Sequence, residues 1–209
     1  VVDELEAALR IGPKFIYVLP NFQNPSGSTL SLERRKKLVE LADKYGVPIV
    51  EDDPYGQLRY EGEHIPSVAT LDSRYRNDND GEYTGNVIYL STFSKLLAPG
   101  LRLAWVIAPP EVIRRLVMTK QAADLHTSSF NQHVAYEVGK GGFLDEHVKV
   151  IRATYKERRD VMIEMMEEMF PPEVSWTKPL GGMFLWGRLP KNVDAAEVLK
   201  VAIERKVAF

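Results

Sequence analysis

The sequence predicts an α/β protein, with a mainly parallel sheet and flanking helices joined to part of a small α+β unit. Three observations predict it. Short apolar, β-prone runs alternate with stretches whose apolar residues recur at helical spacing. Those runs end in segments dense in Asn, Asp, Pro and Gly, the residues that build turns. The second half turns almost wholly helical, broken by one apolar run with a Gly-Gly entry. Alternation of this kind requires crossover helices between strands, which is the connection a parallel sheet needs.

FIYVLP (15–20) reads as the first strand and runs into the turn-rich loop NFQNPSGS. Ser31 is placed to cap the helix LERRKKLVELADKY, in which Leu32, Leu38, Leu41, Ala42 and Tyr45 share one face and Gly46 supplies the stop. VPIVE (47–51) is the second strand, and the proline in the following DDPY forces a turn. IPSVATLDSRYRNDNDGEYTG (65–85) has a polar centre and reads as a surface excursion. NVIYLS (86–91) and RLAWVIAP (102–109) are the third and fourth strands. Helices follow in PEVIRRLVMTKQAADL, SSFNQHVAYEVGK and the long LDEHVKVIRATYKERRDVMIEMMEEMF, whose Met/Glu run reads as amphipathic packing surface. PLGGMFLWGRLP is read as a strand, with Trp105, Trp176 and Trp186 packed in strands, and DAAEVLKVAIERK (194–206) as the last helix. The division expected is a large unit over residues 1–144, then a connecting helix and part of a small C-terminal domain over 145–209.

The chain has 209 residues, 44% of them hydrophobic, and a formal net charge of -2, so it can bury a substantial core and carries no basic face for nucleic acid. No apolar run approaches membrane length and no basic anchor is present, so a small-molecule partner is favoured over a membrane, with the cytoplasm as the default compartment. There is no cysteine, and His64, His126, His133 and His147 lack ligand spacing, so no metal site is expected. The N-terminal VVDELEAALR lacks a signal pattern and an initiator Met, and the last helix runs out at VAF. The expectation is a piece of a longer chain.

In open α/β sheets, ligands bind beyond the carboxyl ends of the strands. The first strand leads to Asn24-Pro25, the second to Asp52 and Tyr55, the third to Thr92, Ser94 and Lys95. Each alone reads as a surface polar residue; their common placement makes one pocket the better reading. An amide, a carboxylate, a phenol, an amine, two hydroxyls and an arginine together suit pyridoxal phosphate. Lys95 would form a Schiff base with its aldehyde. Asp52 would pair with its ring nitrogen, and Asn24 and Tyr55 would bond its phenolic oxygen. Arg102, with Thr92 and Ser94, would hold its phosphate. Gly100 is expected to supply the unusual backbone that aims Arg102. Asp53 is read as an outward-facing turn acid, Arg59 and Arg188 as surface residues, and Phe22 and Gln23 as weaker candidates for the substrate side.

At NPSG (24–27), DDPY (52–55), SKLLAPGLR (94–102) and GGMFLW (181–186), the chain resembles the class I/II, fold-type-I pyridoxal-phosphate-dependent aminotransferases, in the branch of the 2-aminoadipate and kynurenine enzymes. The gaps agree as well: 28 residues from Asn24 to Asp52, 43 to Lys95 and 7 more to Arg102. LHTSSFNQ (125–132) resembles the segment leading from the cofactor site toward the small domain. The resemblance implies amino-group transfer from an α-amino acid to a 2-oxo acid, with Lys95 as both tether and acid/base, Asp52 and Tyr55 as its catalytic companions, and a homodimer in the full protein. It also implies further phosphate-binding and ring-stacking residues upstream and a carboxylate-gripping arginine downstream, so residues 1–209 alone are expected to be inactive. Two alternatives remain open at this point: an aminotransferase-like domain of a winged-helix transcriptional regulator, and a lyase on the same fold.

Overall fold

Ile16, Ile49 and Val87 lie side by side on three neighbouring strands, and the seam they form packs against helices on one face of the sheet. The computed structural model describes residues 2–76 and 83–209. Helix α1 (Val2–Leu9) precedes β1 (Ile16–Val18), α2 (Leu32–Tyr45), β2 (Ile49–Asp52), α3 (Val68–Arg76), β3 (Val87–Thr92) and β4 (Ala104–Ile107). The sheet order is β1-β2-β3-β4, the first three strands parallel and β4 antiparallel to β3. Helices α4 (Pro110–Asp124), α5 (Ser129–Gly139) and α6 (Phe143–Met169) follow. A separate two-stranded ribbon of β5 (Ser175–Trp176) and β6 (Gly187–Arg188) comes next, and α7 (Ala195–Glu204) is the last element.

Local chemistry sets α2 as the sequence predicts. Ser31 Oγ accepts from the Arg34 N–H at 3.4 Å, and Gly46 takes the left-handed conformation (φ 63) that lets its N–H close on the carbonyls of Ala42 and Asp43. Leu38, Val39 and Ala42 then bury against Ile49, Val68, Leu71 and Val87. Each fully buried aliphatic side chain of this kind contributes about 2 kcal/mol. Helix α1, which the sequence reading left unassigned, buries Leu9 with Leu41 and Val47.

Three expectations need correction. Stretch 65–85 is not simply a surface excursion: it opens with α3, whose Val68 and Leu71 are core residues at helical spacing. The cause lies outside the segment. Glu51, fully buried in β2, accepts from the Val68 and Ala69 N–H groups at 2.8 and 2.9 Å and so satisfies the start of α3. Asp72 then holds the return path, accepting from Tyr83 Oη and the Asn86 N–H, each at 2.7 Å; the polar centre at 77–82 lies outside the described residues.

Second, PLGGMFLWGRLP is mostly irregular rather than a strand, with pairing confined to β6 and a single bridge between Gly181 and Arg59. The glycines are pressed against other backbone: a Cβ on Gly181 would sit 2.3 Å from the Leu58 carbonyl oxygen, and one on Gly182 2.3 Å from Phe22 Cβ. Third, Trp186 stands just ahead of β6 and is 42% exposed, whereas Trp105 in β4 packs on Phe93 with ring centres 4.9 Å apart and Trp176 in β5 meets Phe170 edge-on.

Burial pushes the Glu51 carboxyl up to about 7, against the opposing pull of the two α3 N–H bonds. A raised carboxyl favours the folded state below its unfolded value and loses that contribution as pH climbs to its folded value. From pH 4.5 to pH 7 the wild-type protein is therefore expected to lose up to roughly 3 kcal/mol more unfolding free energy than Glu51→Gln. Urea denaturation of both proteins at the two ends of that window checks this, and parallel pH profiles would contradict it.

Candidate functional site

Asp52 and Asp53 leave β2 in opposite directions because successive strand residues face opposite sides of a sheet. Asp53 turns inward, not outward as the sequence reading expects. Its Oδ1 accepts from Asn21 Nδ2 at 2.9 Å, its Oδ2 from Tyr89 Oη at 3.2 Å, and its carbonyl from Ser91 Oγ at 2.8 Å. Asn21 Oδ1 in turn accepts from Arg35 Nη2 at 2.6 Å. Arg35 has 0% of its surface exposed and donates further to the carbonyls of Leu30, Pro66 and Pro20 at 3.0, 2.9 and 3.1 Å. Burial pulls the Arg35 guanidinium down while Glu51 and Asp53 oppose it. One helix, two post-strand loops and β3 are thereby tied to a single buried cation.

On the other face, Asp52 Oδ2 accepts from Tyr17 Oη at 2.6 Å, which leaves Oδ1 with no donor among the described residues. Tyr17 was not singled out by the sequence reading, yet strand alternation could have found it. It pairs in register with Val50, and Asp52 lies two residues further on the same face. Tyr55 is buried, its ring edge-on to Phe184. Burial pushes the Tyr55 hydroxyl up, and a hydrogen bond with the Asn24 side chain works against this. Asn24 itself is exposed on the loop after β1, where the Gly27 N–H closes on the Gln23 carbonyl at 2.6 Å. Gly27 is required there: its φ is 67, and a Cβ would lie 2.8 Å from the Phe184 carbonyl oxygen.

Beyond β3, Thr92 Oγ1 donates to the Leu103 carbonyl at 2.9 Å, lies 3.0 Å from Ser94 Oγ and accepts from the Ser94 N–H at 3.1 Å. Thr92 faces the same side as Asp52, which is paired with Leu90 two residues earlier. Lys95 follows in the turn, partly buried, and among the described residues its amine makes neither an ion pair nor a side-chain hydrogen bond. The chain then rounds a 3-10 turn, Pro99–Leu101, and reaches Arg102. Gly100 does not supply the special backbone expected of it. The positive φ, 53, belongs to Arg102, which caps the turn and returns Nη1 to the Pro99 carbonyl at 3.1 Å. Asn131, in the first turn of α5, braces the turn by donating to the Leu101 carbonyl at 3.1 Å.

Two further residues differ from expectation. Phe22 is a core residue, 0% exposed, clustered with Tyr55, Leu58, Leu96 and Val148 rather than lining a substrate side. Arg59 is not a plain surface arginine, since its guanidinium stacks 4.9 Å from the centre of the Phe22 ring. A cavity of about 860 Å³ opens beside the Thr92–Lys95 turn, with Phe93, Lys120, His126, Thr127 and Tyr136 among its walls.

The family model described as Aminotransferase class I and II matches residues 1–209. The chain belongs to the class I and II aminotransferase family. Aromatic-amino-acid aminotransferase 1 of Thermococcus litoralis is 46% identical to this family member over 196 residues, which is 94% of this chain and 45% of that protein. The crystal structure of α-aminoadipate aminotransferase from Thermus thermophilus, complexed with N-(5'-phosphopyridoxyl)-L-leucine, superposes with a TM-score of 0.91 at 40% identity, covering 100% of this chain and 52% of that one. An uncharacterized HTH-type transcriptional regulator of Bacillus subtilis, YisV, is 33% identical over 94% of this chain and 38% of its own length. The chain spans about half the length of curated relatives that it matches.

Removing Asn21 from between Arg35 and Asp53 takes one acceptor from the fully buried guanidinium and one donor from the part-buried carboxylate. Asn21→Ala is expected to lower the unfolding free energy by about 1–3 kcal/mol. Urea denaturation measures this, and a change within experimental error would contradict the anchoring role of Arg35.

Proposed function

We propose that the full protein is a pyridoxal-phosphate-dependent aminotransferase moving an amino group from an α-amino acid to a 2-oxo acid. The observation that supports the reading is that Asn24, Asp52 with Tyr55, and Thr92 with Ser94 and Lys95 stand at or after the carboxyl ends of the neighbouring strands β1, β2 and β3, in a member of the class I and II aminotransferase family. The donor set suits the cofactor. It offers a carboxylate with one oxygen free of donors among the described residues, a buried phenol, a pair of coupled hydroxyls, and a lysine amine without an ionic partner among the described residues.

When bound, pyridoxal phosphate supplies a reactive aldehyde and an electron-withdrawing ring that accepts the electron pair of a bond broken at the substrate α-carbon. Lys95 Nζ would be the covalent tether and, once displaced by the substrate amine, the group that carries the proton to and from that carbon. Asp52 Oδ1 would hold a proton at the ring nitrogen, and its negative charge would keep it there. Asn24 and Tyr55 would donate to the ring's phenolic oxygen, and Arg102 with the Thr92 and Ser94 hydroxyls would hold the phosphate. Arg102 would have to leave the Pro99 carbonyl to do so. Residues 1–144 would carry this site, and 145–209 would contribute to a smaller domain. The resemblance read from the sequence supports a homodimer for the full protein, and the cytoplasm is the compartment taken by default. Amino-acid and 2-oxo-acid substrates follow from the reaction, with aromatic, 2-aminoadipate, branched-chain and glutamate donors all open.

Borohydride reduction of the full-length protein loaded with pyridoxal phosphate, followed by peptide mapping, is expected to label Lys95. A label on another lysine, or on none, would contradict the assignment. Lys95→Ala is expected to lower kcat about 100-fold or more, since it removes the proton carrier as well as the tether; steady-state kinetics checks this.

A further inference from the structure

We infer that Tyr17 is a positioning residue for Asp52: its hydroxyl holds one carboxylate oxygen so that the other is presented in a fixed direction to the ring nitrogen of the bound cofactor. The inference rests on the cofactor reading above and adds a residue that this reading does not use. Its basis is the 2.6 Å bond from Tyr17 Oη to Asp52 Oδ2, made between neighbouring parallel strands whose register fixes both Cα positions. A bond this short to an ionised acceptor belongs to the stronger class of hydrogen bonds.

Packing does not explain the placement of Tyr17. The residue is 55% exposed, whereas Ile16 and Val18 on either side of it pack against the core. What Tyr17 offers is a rigid ring that carries a donor across the gap from β1 to the end of β2. A carboxylate can turn about its Cβ–Cγ bond, and a proton held between it and a ring nitrogen is bound well only in one orientation. Fixing Oδ2 removes that freedom. The bond to Asp52 and, after it, burial push the Tyr17 hydroxyl up to about 12, so it remains a donor throughout the physiological range. On the opposite side of the Asp52 backbone, Asp53 is anchored through Asn21 and Arg35, so the dipeptide is gripped on both faces.

The test is a double-mutant cycle on the full-length protein, read as affinity for pyridoxal phosphate by titrating the apo forms and following the visible absorbance band. With Asp52 present, Tyr17→Phe is expected to weaken binding about three- to thirtyfold. In the Asp52→Ala background the same change is expected to cost less than twofold, because the group it acts on is gone. Equal losses in both backgrounds would assign Tyr17 a merely structural role and overturn the inference, as would no loss in the first.

A second reading keeps the inference testable if Asp52→Ala abolishes binding. Tyr17→Phe alone is expected to raise the pH midpoint of the visible band by about half a unit. A less firmly held ring proton withdraws less charge from the lysine-linked nitrogen, which then keeps its own proton to higher pH. An unmoved midpoint overturns the inference. If borohydride labelling of the wild-type protein misses Lys95, the cofactor reading fails and takes this one with it. If Lys95 is labelled and the Tyr17→Phe effects are absent, only this one fails.

Discussion

A buried guanidinium holds the functional end of the sheet together. Arg35 reaches from α2 under the loop after β1, takes the carbonyls of Pro20, Leu30 and Pro66, and through Asn21 fixes Asp53. Asp53 in turn is bonded to Tyr89 and Ser91 of β3. A cation with no exposed surface is tolerable only when its donors are met by oriented acceptors, and meeting them draws three strand ends into one arrangement. Asn24, Asp52, Tyr55 and the Thr92–Lys95 turn all leave from that arrangement.

Strand alternation divides the work between two adjacent aspartates. Asp53 faces the helices and is consumed in anchoring; Asp52 faces the other side and keeps an oxygen free of donors among the described residues. Glu51 repeats the logic one residue earlier by satisfying the start of α3. Three consecutive carboxylates thus serve a helix start, an open position on the opposite face of the sheet and a loop anchor. Composition assigns them no such difference, since the distinction rests on which face each one takes and what packs there.

The same reasoning explains what the sequence made legible. The apolar strands, the capped helix α2 and the strand-end polar residues carry local signals: β-prone runs, Ser31 with Gly46, and turn residues at fixed places. The misread segments depend on distant partners. Helix α3 is started by a side chain on β2, and the Gly181–Gly182 segment is shaped by Phe22 and Leu58 rather than by its own β-propensity. Gly100 was the reasonable residue for an unusual φ, but Arg102 adopts it instead, at a cost on the order of 1 kcal/mol or more. Arg35 carries no local signal of its role, because its burial arises from loops that close over it only in the folded chain.

The central claim is that this constellation serves amino-group transfer rather than carbon-bond cleavage or ligand sensing. A single-turnover reaction of the full-length protein, loaded with pyridoxal phosphate and mixed with an excess of candidate α-amino acids but no acceptor, tests it most directly. The account expects the visible band to decay as pyridoxamine phosphate and one equivalent of 2-oxo acid appear, and to return on addition of a 2-oxo acid. Release of carbon dioxide or a cleaved fragment in place of the oxo acid, or a bound cofactor that no amino acid converts, would contradict it.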